Sequence, residues 1–263
     1  MQATFSFQRL GLLIRKQWAE RARLYSLMMA AVTGLLIIAF ILWWCASDQT
    51  LYVEPLFIFF FVGLFLGGCI MAGMSFSELS GRTTGIYYLG VPATHGEKLV
   101  CGILFSQVFF NAAYILIFFL IRAAAFGLVA TNPRLHLAHL PNFVGIGIPL
   151  FRWYLSLLYV AVQTLYLLGS VYFERFAFVK TTVTGAVTIV AFVLFMGYVV
   201  LPITKGENVS FADLGVVRMN NGYGEMLFTF PLWLSKVLLF VGRYIWAPVF
   251  WVAAYFRLKE KEI

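Results

Sequence analysis

Between residues 25 and 44 the chain runs 20 residues without a charged side chain. A helix rises about 1.5 Å per residue, so a run of this length crosses about 30 Å, the hydrocarbon thickness of a bilayer. No water is available there, so each backbone N–H and C=O has to be satisfied within the segment, and a helix does that. Five further apolar stretches follow, at roughly 55–74, 98–122, 153–173, 182–201 and 232–256. Composition agrees: 62% of residues are hydrophobic and 11% charged, against about 45–50% and about 25% in soluble domains. That balance excludes an ordinary soluble enzyme and a disordered chain alike. The loops are too short to hold a folded soluble domain. The expectation is therefore an all-α integral membrane protein, with residues 1–263 forming a single domain: an amphipathic interfacial helix over 1–24, a six-span bundle over 25–256 and a tail over 257–263.

In residues 1–24, Phe7, Leu10, Ile14 and Trp18 recur at steps of three and four, while Arg9, Lys16, Glu20 and Arg23 lie mainly on other faces. This pattern predicts a helix in the headgroup plane with its aromatic side in lipid; an extension of the first span is the alternative. The apolar run that follows exceeds the about 7–15 residues of a signal peptide, so the segment reads as a permanent first span. The net charge is +8. With the N-terminus in the cytoplasm, twelve basic residues fall inside (Arg9, Arg15, Lys16, Arg21 and Arg23; Arg82 and Lys98; Arg175 and Lys180; Arg257, Lys259 and Lys261). The outer loops hold five: Arg122, Arg134, Arg152, Lys205 and Arg218. This asymmetry predicts both termini on the cytoplasmic side of the membrane. It also points to anionic lipid headgroups as the partner of the basic charge, rather than nucleic acid.

Motifs for chemistry are missing. The sequence contains no G-x-x-x-x-G-K-[ST], no H-E-x-x-H and no G-x-S-x-G. Cys45, Cys69 and Cys101 form no C-x-x-C pair and read as packing residues. His136 and His139 are spaced to share a helical face, yet no further ligands accompany them. An intramembrane enzyme acting on lipid would need converging acids, bases or a metal, and only this pair hints at one.

The segment 75–98, between the second and third stretches, is the densest in polar signals. Ser75 with Glu78, and Thr94 with Glu97, both fit the S/T-x-x-E capping pattern. Between them lies a short piece with Glu78, Arg82, Tyr87 and Tyr88, suited to docking in a partner's groove; a plain solvated loop fits the same residues. Between the fourth and fifth stretches Glu174, Arg175 and Lys180 mark a short surface turn flanked by aromatics. The long outer loops are 123–152 and 203–230, the latter with the turn signal Asn220-Asn221-Gly222.

Within the spans, Gly63 and Gly67 are set as G-x-x-x-G, with Gly68 beside them. They mark a candidate dimer or intrachain seam, although the spacing is common in spans. Polar residues at depth are few: Gln107, Asn111, Gln163, Thr164 and Arg243. A water-filled ion path would call for more ionisable groups, so this scarcity favours a hydrophobic or amphipathic cargo; interhelical hydrogen bonding explains Gln and Asn equally well. Lys236 can snorkel to a surface, whereas Arg243 lies deeper and is expected to face protein or water.

Four features carry a family resemblance. They are the basic amphipathic start, the stretch from Phe76 through Tyr88-Leu-Gly-Val-Pro92 to Glu97-Lys98, the stretch Gly169-Ser-Val-Tyr-Phe173 with Ala177-Phe-Val-Lys-Thr181, and the tail from Tyr255 to Glu262. The chain resembles the permease subunit of ATP-binding-cassette transporters of the type-2 export class, in particular small six-span permeases of Bacteroidetes-like bacteria. The second stretch is similar to that family's YL-x-x-P-x-x-x-x-EK. The resemblance implies a chain with no cofactor and no ATPase activity of its own. It would pair with a second permease, as homodimer or heterodimer, and bind two copies of a separate ATPase that holds ATP and Mg. It also implies that segment 75–98 is the coupling element, with Glu78, Arg82, Tyr87 and Tyr88 as contacts. The N-terminal helix would be an interface helix, and 203–230 a re-entrant region. A membrane scaffold or sensor that docks a cytoplasmic partner without transport is the alternative.

Overall fold

A computed structural model describes residues 5–45, 50–132, 136–138, 147–173, 176–203, 208–213, 216–220, 225–229 and 231–261. The chain is mostly helical, and five of its helices are long and apolar enough to cross a membrane. The first is α1 (Phe7–Cys45), 39 residues without a break. The separate interfacial helix expected over 1–24 is absent from the described residues: 7–24 simply continue into the span. Ala19, Glu20, Arg21, Ala22, Arg23 and Leu24 are good helix formers with no Gly, Pro or cap among them, so nothing stops the helix there. At about 1.5 Å per residue α1 is about 58 Å long, well beyond a bilayer core.

α2 (Glu54–Met74) follows, opened by Pro55 in its first turn, where a missing N–H costs nothing. A 3-10 turn (Ser77–Ser80) and the short α3 (Arg82–Leu89) lead to α4 (His95–Ile103). A π-helical turn (Leu104–Phe109) joins α4 to α5 (Phe110–Thr131), making one 37-residue rod that outruns the expected 98–122. α6 (Gly147–Tyr172) and α7 (Ala177–Ile203) complete the five. The sixth apolar stretch is helical as well, as α8 (Leu232–Phe240), a π-helical turn (Val241–Ile245) and α9 (Trp246–Glu260). It is not among the five.

Two small sheets qualify the all-α expectation. β1 (Thr50–Tyr52) pairs in parallel with β2 (His136–Ala138), Thr50 opposite His136. Trp43 donates its indole N–H to the Tyr52 carbonyl at 2.7 Å, tying the end of α1 to this pair. His136 thus lies on a strand, where residues three apart point to opposite faces; His139 lies outside the described residues. The loop 203–230, expected to be re-entrant, instead holds an antiparallel sheet of β3 (Asn208–Asp213), β4 (Val216–Asn220) and β5 (Glu225–Thr229). Asn208 to Phe211 alternates polar and apolar residues, a two-residue period, and the other two runs are short and rich in Val, Met and Phe, as strands are. Asn220 pairs with Glu225, so the Asn-Asn-Gly signal falls where the chain reverses, with 221–224 outside the described residues.

α2 is the centre, with α1, α5, α6 and α7 packed against it. Leu36, Phe40, Leu64, Phe110, Tyr114 and Phe118 form the larger core. A second cluster, including Phe76, Leu79, Leu99, Val171 and Leu258, gathers at the end of the bundle that carries segment 75–98. Both ends of the described chain lie there: Ser6 meets Glu97, and His95 stands 6.4 Å from Tyr255, ring to ring.

The glycines of α2 set these approaches. A Cβ on Gly67 would come within 2.6 Å of the Phe110 ring, one on Gly63 would overlap the Tyr114 hydroxyl, and one on Gly68 would overlap that of Tyr159. Gly63 and Gly67 therefore serve packing within the chain, against α5.

Candidate functional site

Segment 75–98 is built as a platform locked onto α1. Where α2 ends, Ser75 is its C-cap, and its hydroxyl donates back to the Met71 carbonyl at 3.0 Å. Ser75 and Glu78 therefore form no capping box, and the 3-10 turn that contains Glu78 has no side-chain cap. Glu78 instead meets Arg21 of α1. The guanidinium approaches one carboxylate oxygen through Nε at 2.9 Å and Nη2 at 2.8 Å. Its Nη1 donates to the carbonyls of Met74 at 3.1 Å and Ser75 at 3.3 Å. The last carbonyls of a helix lack intrahelical donors and carry the negative end of its dipole, so a cation suits them. The Arg21 side chain is 11% exposed and that of Glu78 26%, so the pair is shielded from most of the solvent that weakens surface ion pairs.

The second capping pattern is realised. The Thr94 hydroxyl accepts the Glu97 N–H at 3.2 Å, and Glu97 Oε2 accepts the Thr94 N–H at 2.8 Å. The other oxygen of the fully buried Glu97 accepts the Ser6 N–H at 2.7 Å and lies 3.2 Å from Arg9. Ser6 begins α1, since its carbonyl accepts the N–H of Leu10. One carboxylate thus closes the N-termini of two helices, where negative charge is favoured. Between these anchors Gln17 accepts from the Cys101 thiol at 3.0 Å and donates to the Tyr25 hydroxyl at 3.0 Å. Lys16 lies 4.4 Å from the centre of the Tyr87 ring, and the buried Lys98 lies 5.7 Å from that of Tyr88.

The four predicted contact residues divide. Glu78 turns inward to Arg21, and Tyr88 is half-buried, its burial pushing the phenol pKa up. Tyr87 faces out beside an exposed Ile86. Arg82 opens α3, and its side chain lies outside the described residues. Sequence reasoning missed Arg21, Gln17 and the double use of Glu97. The available signal was a four-residue repeat along α1, Arg9, Leu13, Gln17 and Arg21, which forms one stripe.

The candidate polar residues at depth do not converge on one point. Gln163 of α6, fully buried, donates to the Ser106 carbonyl at 2.6 Å, inside the π-helical turn. Such turns displace a carbonyl from the helical ladder and recur at functional sites; here a neighbouring helix takes that carbonyl up. Gln107 lies in the same turn, and Asn111 accepts from the Tyr159 hydroxyl of α6. These three residues sit along the seam of α6 with the α4–α5 rod. Arg243 lies elsewhere, in the second π-helical turn, donating to the Tyr154 hydroxyl and lying 4.7 Å from the centre of that ring.

No cluster of three His, Cys, Asp or Glu suited to a metal occurs among the described residues. Glu174, Arg175 and the outer residues Arg134, Lys205 and Glu207 lie outside them. The arrangement is that of a helical bundle with apolar, bilayer-length spans and an ion-paired platform at one end. Comparison with known protein families, characterised proteins and solved structures finds no match for this chain.

Proposed function

We propose that this chain is the transmembrane permease subunit of an ATP-driven exporter of the type-2 class. It sits in a bacterial inner membrane with both termini and the platform on the cytoplasmic side. Two copies of a separate ATPase, holding ATP and Mg, bind a pair of permeases and drive a hydrophobic or amphipathic cargo across. The observation that carries this reading is the wiring of segment 75–98. A displacement of α3 is passed to α1 and the end of α2 through Arg21–Glu78, and Glu97 ties the start of α4 to the start of α1. Three membrane-length helices are thereby gripped at one end by a unit that exposes Ile86 and Tyr87 outward. An ATPase that closes on nucleotide can move such a lever only by binding its two positions with different affinity.

The test is affinity purification of the tagged chain in mild detergent, with mass spectrometry of co-purifying proteins. The Ile86→Asp/Tyr87→Asp variant, which leaves the Arg21 lock intact, is compared with Glu78→Ala/Arg82→Ala. An ATPase retained by the wild-type chain and lost from both variants supports the reading. Consistent recovery without any ATPase overturns it. Cargo-stimulated ATP hydrolysis by the reconstituted complex separates transport from a scaffold that merely docks the same partner.

A further inference from the structure

The face of α1 opposite the platform borders a groove of about 930 Å³, closed on its other side by the rod of α4 and α5 and by Met71 of α2. Its position along α1 is graded. Both basic residues of the lining, Arg15 and Arg23, fall before residue 25, where the charge-free run begins, among Gly11, Ile14, Trp18 and Ala22; beyond it the α1 wall continues to Met29, and α5 contributes Phe110 and Ala113. The floor is aromatic: Phe105 stacks on Tyr25 at 5.3 Å and on Trp18 at 6.3 Å, with Phe109 packed against it at 5.2 Å. No acidic residue is among those lining the groove. The nearby Glu20 pairs with Lys16 on another face, at 3.8 Å. Arg15 and Arg23, both exposed, are thus the charges at the lip.

We propose that this groove is a binding site for one phosphate-headed, acyl-chain lipid of the surrounding bilayer. Arg15 and Arg23, about 12 Å apart along the axis of α1, set a positive field over the headgroup end of the groove, and either planar fork suits a phosphate. Trp18 and Tyr25 lie at the headgroup boundary, where aromatic side chains with a polar edge are favoured. The acyl chain runs from there along Met29, Phe109 and Ala113. A volume at the upper end of ordinary ligand pockets and an almost wholly apolar wall suit a chain rather than a compact solute. The order of basic and apolar lining residues along α1 and the sign of the charge match an anionic lipid standing in the bilayer. The site needs only that α1 crosses a membrane, so it stands or falls independently of the transport reading.

The full chain, purified in detergent and delipidated, is titrated with phosphatidylglycerol or phosphatidylcholine and examined by native mass spectrometry. One tightly held phosphatidylglycerol is expected. Its affinity should fall about 30-fold in Arg15→Gln/Arg23→Gln, taking each surface arginine at the strength typical for anionic lipid. Phosphatidylcholine, which carries the phosphate but no net charge, should bind more weakly and lose less affinity in that variant than phosphatidylglycerol does. Lys236→Gln/Lys259→Gln, which removes two basic residues away from the groove, should leave phosphatidylglycerol binding as it was. Ala22→Trp, which fills the groove with the arginines in place, should abolish the single retained lipid. The altered arginines are exposed, so that variant tests the idea even if the groove-filling one fails to fold. Equal retention of both lipids, or an equal fall with the distant pair, would mean non-specific annular lipid and would overturn the proposal.

Discussion

α2 and α7 are both uninterrupted apolar helices of bilayer length, yet half of the most apolar window of α2 is buried inside the chain and only 6% of that of α7. Hydropathy does not separate them, because lipid tails are as apolar as the side chains of a neighbouring helix. What separates them is the distribution of small residues. Gly63, Gly67, Gly68 and Gly73 admit Tyr114, Phe110, Tyr159 and Phe178 against the backbone of α2. In α7 the described Gly185 meets open space, and its neighbours Val183, Val187, Ile189 and Val190 are exposed. Close packing thus follows where backbone can be reached, and apolar bulk alone leaves a helix to the lipid.

The largest expected effect breaks that contrast at its strongest point. Gly68→Leu would drive a side chain into the Tyr159 ring and should cost about 3 kcal/mol, the upper range for overpacking. Gly185→Leu should stay within about 0.5 kcal/mol of wild type, because nothing lies near enough to resist it. Thermal unfolding in mild detergent measures both, and equal shifts would refute the glycine account. Next in size is the end of α2. Arg21→Ala strips the cation from two terminal carbonyls and from Glu78, and should cost about 2 kcal/mol, as for partly buried charged hydrogen bonds. Arg21→Lys should recover less than half of this, since an ammonium cannot reproduce the guanidinium fork. Full rescue by lysine would mean that charge alone fixes the helix end.

A smaller effect is expected where α7 does touch the bundle. A Cβ on Gly169 of α6 would overlap the Thr181 side chain. Gly169→Ala should therefore cost about 1–2 kcal/mol, in the range for overpacking. Adding Thr181→Ala should return part of it, since that removes the hydroxyl and methyl but keeps the Thr181 Cβ, itself within 2.9 Å of the added carbon; the hydroxyl's bond to the Ala177 carbonyl is local to its own helix. A double-mutant cycle reads this coupling directly. Additive costs would place the α6–α7 crossing elsewhere.

Much of the architecture was legible in the sequence because bilayer length is a one-dimensional property. The spans near 55–74, 153–173 and 182–201 correspond to α2, α6 and α7, and the Thr94–Glu97 box is present with both of its hydrogen bonds. Reasoning failed where a local pattern had two physical readings. Ser75 and Glu78 match a capping box, yet Arg21, 57 residues from Glu78 in sequence, claims the carboxylate first. The amphipathic start matches a membrane-surface helix, but its polar stripe is used against segment 75–98, and Phe7 and Trp18 remain exposed. The sheet of β3 to β5 was missed although residues 208–211 alternate, because a long loop in an apolar chain invites a helical reading. The platform's contacts are long-range pairs, and a single sequence carries no signal for which arginine meets which glutamate.

The smallest expected effect also reports on what lies beyond this single chain. Phe192→Ala and Val190→Ala remove exposed bulk from α7. Where lipid or detergent covers that bulk, truncation exchanges one apolar neighbour for another, and the cost should stay within about 0.5 kcal/mol. Where protein covers it, loss of the phenyl group would cost about 3–5 kcal/mol. The stability change therefore measures the covering, and its dependence on protein concentration identifies the source. A small cost at low concentration that grows as concentration rises would put a second copy of the chain on α7, since association enters apparent stability by mass action. A large cost that does not change on dilution would mean α7 folds back onto its own bundle, and the contrast with α2 would fail.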